Sequence, residues 1–115
     1  MNIKQTSHEL TKSETYKLTK SPAINRMREV EALTVGPWAQ YDDISITSDG
    51  KQVEQTILSI MDMDTGAVYA TNSATFQREF MDCVGIFGAQ GWPLGVMHGK
   101  TKAGRDFITC VYVGD

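Results

Sequence analysis

Gly95-Val96-Met97-His98-Gly99-Lys100-Thr101-Lys102-Ala103-Gly104-Arg105-Asp106-Phe107-Ile108-Thr109-Cys110-Val111-Tyr112-Val113 is two apolar segments around a turn that carries the cations Lys100, Lys102 and Arg105. Alternating apolar runs about a glycine-containing turn predict a β-hairpin. Just before it, Phe76, Phe80, Cys83, Val84 and Phe87 recur at spacings of four, three, one and three. That period predicts a helix over Ser73–Phe87 with these side chains on one face and Gln77, Arg78, Glu79 and Asp82 in water. Asn72 or Ser73 supplies the cap for its first amides, and Gly88 and Gly91 stop it.

Upstream, Arg28–Val35 is weakly strand-like and ends at Gly36-Pro37. A second extended segment runs from Trp38 to Thr47, with Asp42-Asp43 as a bulge or loop within it. Ser48-Asp49-Gly50-Lys51 is a turn, and Gln52–Asp62 and Ala67–Thr71 form a hairpin around Asp64-Thr65-Gly66. Residues 1–21, rich in Ser, Thr and Lys and without either period, are expected to be a mobile basic tail, with Pro22 marking where order begins. Residues 22–115 then make one domain, since 115 residues supply one modest core. A single helix with one apolar face must cover something, and the open end of a barrel made by the flanking strands is the natural object. The order strand, strand, strand, helix, strand, strand is that of the OB-fold. The expected architecture is therefore mainly β: a five-stranded Greek-key barrel with one α-helix between strands 3 and 4.

The net charge of −3 argues against indiscriminate attachment to nucleic acid, but charge is segregated along the chain. Residues 1–28 hold six cations against two carboxylates, leaving the remainder at −7. Three of the five cations in that acidic remainder lie in the hairpin turn. Their bland reading is a cationic turn that protects a sheet edge from pairing. No apolar run approaches the ~20 residues that would cross a bilayer, and the polar N-terminus lacks a signal-peptide core, so a cytoplasmic protein without membrane association is expected. Cys83 and Cys110 lack CxxC spacing and a nearby His pair, and read as reduced, apolar side chains with no metal.

A groove for a single strand needs cations in line for phosphates and flat side chains for bases. Lys100, Lys102 and Arg105 meet the first need; Trp38, Tyr41, Tyr69, Phe107 and Tyr112 are candidates for the second. Phe107 and Tyr112 point to opposite faces of their strand, which leaves one for the core, and Phe107 is assigned to the surface because it lies nearer the basic turn. Trp38 either meets ligand or fills one end of the core, and Trp92 covers the barrel bottom beside the helix end. Lys51 extends the basic edge from its own turn, and His98 stands beside the hairpin turn, where it either contacts phosphate or base or is ordinary surface.

Other motifs fail on spacing. Gly95–Thr101 has one residue too few between its glycines for a phosphate-binding P-loop and sits between strands. Asp62, Asp64 and Gly66 suggest a calcium loop, but its glycine comes one place early and its twelfth position is Ser73, so a hairpin turn explains them. No nucleophile, base and acid fall into a catalytic pattern; neither enzymatic activity nor a cofactor is expected.

Val68-Tyr69-Ala70-Thr71-Asn72-Ser73 with Phe76 and Phe80, followed by Gly99–Cys110, resembles the small single-stranded DNA-binding proteins of bacteriophages, over roughly residues 50–113. That resemblance implies an OB-fold without catalysis that coats single-stranded DNA during replication or recombination, in the host bacterial cytoplasm, with replication or recombination proteins and further copies of itself as partners. Many bacterial relatives finish in a long acidic tail that recruits partners. This sequence finishes at Val113-Gly114-Asp115, so recruitment of that kind is not expected. The alternative is an acidic protein-interaction module, a viral adaptor or inhibitor using the −7 region as its contact face.

Overall fold

A computed structural model describes residues 1–115. In chain order the elements are β1 (Asn2–Thr6), α1 (Lys12–Thr19), β2 (Asn25–Arg26), a single 3₁₀ turn (Met27–Glu29), β3 (Ala32–Ile46), β4 (Gln52–Asp62), β5 (Val68–Thr71), α2 (Ala74–Phe87), β6 (Pro93–Lys100) and β7 (Asp106–Tyr112). The strands form one curled, open sheet in the order β2-β5-β4-β3-β6-β7, with β1 added to β3. The mainly β character expected from the sequence is present; seven strands and two helices replace the expected five and one.

The central strand β3 explains the curl. Gly36-Pro37, expected to end a strand, instead lies inside this 15-residue one as a bulge, where pairing with β4 shifts between Val35 and Trp38. Pro37 has no amide hydrogen to give a ladder, so a bulge tolerates it. A Cβ at Gly36 would lie 2.8 Å from the Met61 carbonyl oxygen, so only glycine lets the two backbones approach there. Ahead of the bulge Ala32–Thr34 pair with β6; beyond it Trp38–Ile46 pair with β4. One strand thereby serves both halves of the sheet. Asp42 and Asp43 are not a loop but regular β3 positions opposite Thr56 and Gln55.

The inner face of the curl packs on α2. Ser73 caps this helix, its Oγ accepting from the Phe76 amide at 3.2 Å. Phe76 and Phe80 are fully buried with Trp38, Leu58, Ile60, Trp92 and Leu94. The Phe80 ring meets Trp38 edge-on at 5.2 Å and Trp92 at 5.6 Å. The helical period is legible, but two side chains expected in water are not there: Gln77 is buried, accepting from Gln40 Nε2 at 2.8 Å and donating to the Thr56 carbonyl at 3.0 Å, and Glu79 is half-buried, its Oε1 accepting from the Cys110 amide at 3.3 Å.

Residues 1–21, expected as a tail, carry β1 and α1. β1 pairs antiparallel with β3. Thr11 and Glu14 close a capping box at the start of α1, and Leu18 is wholly buried against Ala39, Tyr41 and Val68 on the outer face of the sheet. A second, smaller core thus lies on the side of β3 and β4 that α2 does not cover. Burying Leu18 offsets the entropy of ordering the segment, which a purely polar tail lacks the means to do.

Candidate functional site

β5 is four residues long and covers β4 only over Leu58–Met61, so β4 runs on from Gln52 to Ile57 without a neighbour on that side. Opposite this free edge stands the β6–β7 hairpin. Between them lies a cavity of about 510 Å³, walled by Gln55 and Ile57, by Thr71–Ser73 at the entry to α2, by Arg26–Arg28, and by His98, Asp106, Phe107 and Ile108. Met27 is buried in the inner core, while Arg26 and Arg28 on either side of it are exposed. Burial of the apolar residue thus leaves both arginines on the cavity wall, with the Arg28 guanidinium turned toward Asp106.

Asp106 ties the cations together. Its carboxylate lies 3.7 Å from Arg28 Nη2 and 3.8 Å from Lys100 Nζ. Exposed pairs of this kind contribute little stability, so these cations can exchange the carboxylate for another anion at small cost. Lys102 and Arg105 follow in a turn held by the Thr101 amide on the Arg105 carbonyl at 2.9 Å and by the Arg105 amide on Thr101 Oγ1 at 3.1 Å. Neither makes an ion pair. The N-terminal end of α2 also faces the cavity and adds its partial positive charge.

Phe107 is 39% exposed, and its ring lies over Gly99, the residue opposite it on β6; a Cβ there would come within 2.4 Å of the ring. Of the residues expected at a binding face, the structure brings together His98 and Phe107 in the cavity wall, Lys100 at the end of β6, and Lys102 and Arg105 in the adjoining turn.

The other expected contacts lie elsewhere. Trp38 is 2% exposed, its indole N–H donating to the Ala89 carbonyl at 2.7 Å; it is core. Tyr41 is 3% exposed under α1, with its hydroxyl 3.5 Å from both the Leu18 carbonyl and Ser59 Oγ, and burial pushes its phenol pKa up. Tyr69 packs against the inner core, while its neighbours Ala70 and Thr71 reach the cavity. Lys51 sits at the tip of the β3–β4 hairpin, 4.0 Å from Asp49, and lines no part of the cavity. Tyr112 is neither core nor ligand face: it stacks on Phe87 at 4.0 Å. Its position at the far end of β7 separates it from the basic turn.

Arg26 and Arg28 were missed as site residues. Their signal was Arg-Met-Arg, an apolar residue between two cations inside the positive first quarter of the chain, but no local rule says which face the cations will meet. Asp62 and Asp64 do close a turn: the Asp62 carboxylate accepts from the Asp64 amide at 3.0 Å and Thr65 Oγ1 at 3.1 Å. No helix is long and apolar enough to cross a membrane. Comparison with family models, curated proteins and solved structures finds no match.

Proposed function

We propose that this protein binds single-stranded DNA without strong sequence preference, through phosphate neutralisation and base stacking. The observation that carries the reading is that Arg26, Arg28 and Phe107 line one cavity, with Lys100 paired to its wall residue Asp106 and the turn bearing Lys102 and Arg105 between Lys100 and Asp106 in the chain. A recess between two strand edges takes an unstacked base, which a single strand offers and an intact duplex does not. The cations around it meet the phosphates, and Phe107 supplies a π-face that any base can use. In this reading β3–β7, with α2 between β5 and β6, form an OB-type barrel left open between β5 and β7, and β1, α1 and β2 are an N-terminal addition. The role proposed is coating of exposed strands in phage-type replication or recombination, with no chemistry of its own.

The test is anisotropy of a labelled oligo-dT at two salt concentrations, because Trp38 and Trp92 are both buried and their emission is a poor reporter of binding. Arg26→Ala and Arg28→Ala are each expected to weaken binding to all sequences and to lower the logarithmic salt slope by about 0.7 per lost phosphate contact. Asp106→Asn is expected to tighten binding, since it removes the resident competitor. Unchanged slopes in both arginine variants would mean that the strand does not bind at this cavity.

One observation favours a second reading. With Trp38 and Tyr41 in the core, few aromatics share a face with the cations, and an acidic protein-interaction module needs none. Failure of the wild-type protein to bind single strands at low salt would select that reading.

A further inference from the structure

A second recess of about 520 Å³ adjoins the first. The two share Gln55 and Asn72, joined by a hydrogen bond from Asn72 Nδ2 to Gln55 Oε1 at 3.0 Å. Its walls come from β1, β3, β4 and the first turns of α2, and they include no carboxylate, although the chain holds 14 acidic residues. Two cations line it, Lys4 and Arg78. Arg78 is exposed and makes no ion pair; Lys4 reaches Asp42 only at 4.0 Å.

Its floor is a relay of amides. Gln5 Nε2 donates to Gln40 Oε1 at 3.3 Å, Gln40 Nε2 donates to Gln77 Oε1 at 2.8 Å, and Gln77 Nε2 donates to the Thr56 carbonyl at 3.0 Å. Buried Gln77 is thereby held at both ends of its amide, and it orients Gln40, which orients Gln5. The outer amides retain free donors and acceptors, the complement of the polar edge of an unpaired base.

We propose that this second recess is the continuation of the strand path: a single strand seated in the cationic cavity crosses the Asn72–Gln55 bridge and lies along the amide floor. Lys4 and Arg78 neutralise its phosphates there, and the free amides of Gln5, Gln55 and Asn72 bond base edges. The proposal rests on the single-strand reading above. It also gives the N-terminal strand a task beyond stability, because β1 supplies both Lys4 and Gln5.

The length of the ligand separates the two recesses, since OB-type sites occupy about 4–16 nucleotides. Labelled oligo-dT of about 4 and about 12 nucleotides is titrated into the wild type, Lys4→Ala/Arg78→Ala and Arg26→Ala/Arg28→Ala, with thermal melts confirming that each is folded. The wild type should bind the longer oligomer more tightly than added length alone explains. Lys4→Ala/Arg78→Ala should match it on the short oligomer, and on the long one lose affinity and about 1.4 of the logarithmic salt slope. Arg26→Ala/Arg28→Ala should be weak at both lengths. If Lys4→Ala/Arg78→Ala equals wild type at both lengths while the arginine variant is weak, the second recess is not on the path and the proposal falls alone. If the wild type binds neither oligomer, the single-strand reading falls with it.

Discussion

Phe107 and Trp38 are both aromatic and both lie on strands of one sheet, yet their surroundings give them opposite tasks. The Trp38 ring is enclosed by Phe80 and tethered through its indole N–H, so Trp38→Ala is expected to cost about 3–5 kcal/mol of folding stability, read by chemical denaturation. Phe107 rests on Gly99 with one side open. Phe107→Ala should leave the melting temperature nearly unchanged while weakening oligo-dT by about 1–3 kcal/mol. Gly99→Ala drives a methyl group into the ring and should reproduce part of that loss with Phe107 still present. The cysteines are a further contrast with reactive residues. Burial, the largest influence on each, pushes both thiols up, Cys110 most strongly, so both should react slowly with a thiol reagent near pH 8 until the protein is unfolded.

At the scale of elements, α1 is where local signal and tertiary burial combine. Thr11-Lys12-Ser13-Glu14 is a capping box: the Thr11 amide donates to Glu14 Oε1 at 2.9 Å, and the Glu14 amide donates to Thr11 Oγ1 at 3.1 Å. The motif is written in the sequence, but an eight-residue helix is too short to persist by itself. Leu18 supplies the missing stabilisation. Leu18→Ala is expected to lower stability by about 2–5 kcal/mol, whereas a tail would show no change. The hydrogen bond donated by the Thr11 amide holds the Glu14 carboxyl below its ordinary value of 4.5. A lowered carboxylate pKa contributes stability that is complete above the ordinary value and is lost as pH falls through the depressed one. Acid should therefore loosen α1 only once the pH has fallen below the ordinary carboxylate value, visible as faster amide exchange in residues 12–19 with the α2 core still intact.

At the scale of the molecule, the open seam is decided by a mismatch of lengths. β4 outruns β5, the sheet does not close on β7, and the uncovered edge becomes a cavity wall instead of a ladder. Sequence periodicity was enough for α2, the β4–β5 hairpin and the basic β6–β7 hairpin, because each depends on residues near in the chain and on a repeat of two or about 3.6, while the choice of Ser73 over Asn72 as the cap of α2 needed the structure. It was also enough to place His98, Phe107 and the three turn cations beside one another. It misread Gly36-Pro37 as a stop, because a bulge is recognised only by the partner strand that opposes it. Trp38 and Tyr41 look alike to any local rule as candidates for stacking; only the positions of α2 and α1 show that one is covered from inside the curl and the other from outside. The arginines at 26 and 28 reach the site through a parallel pairing of β2 with β5, more than forty residues away in the chain. What the sequence determined by itself was the set of local elements and the sign and position of the charge. Which charges face one another, which aromatics remain open to solvent and where the sheet stays unpaired were decided by tertiary structure, since those depend on contacts between segments that carry no information about each other until they are packed.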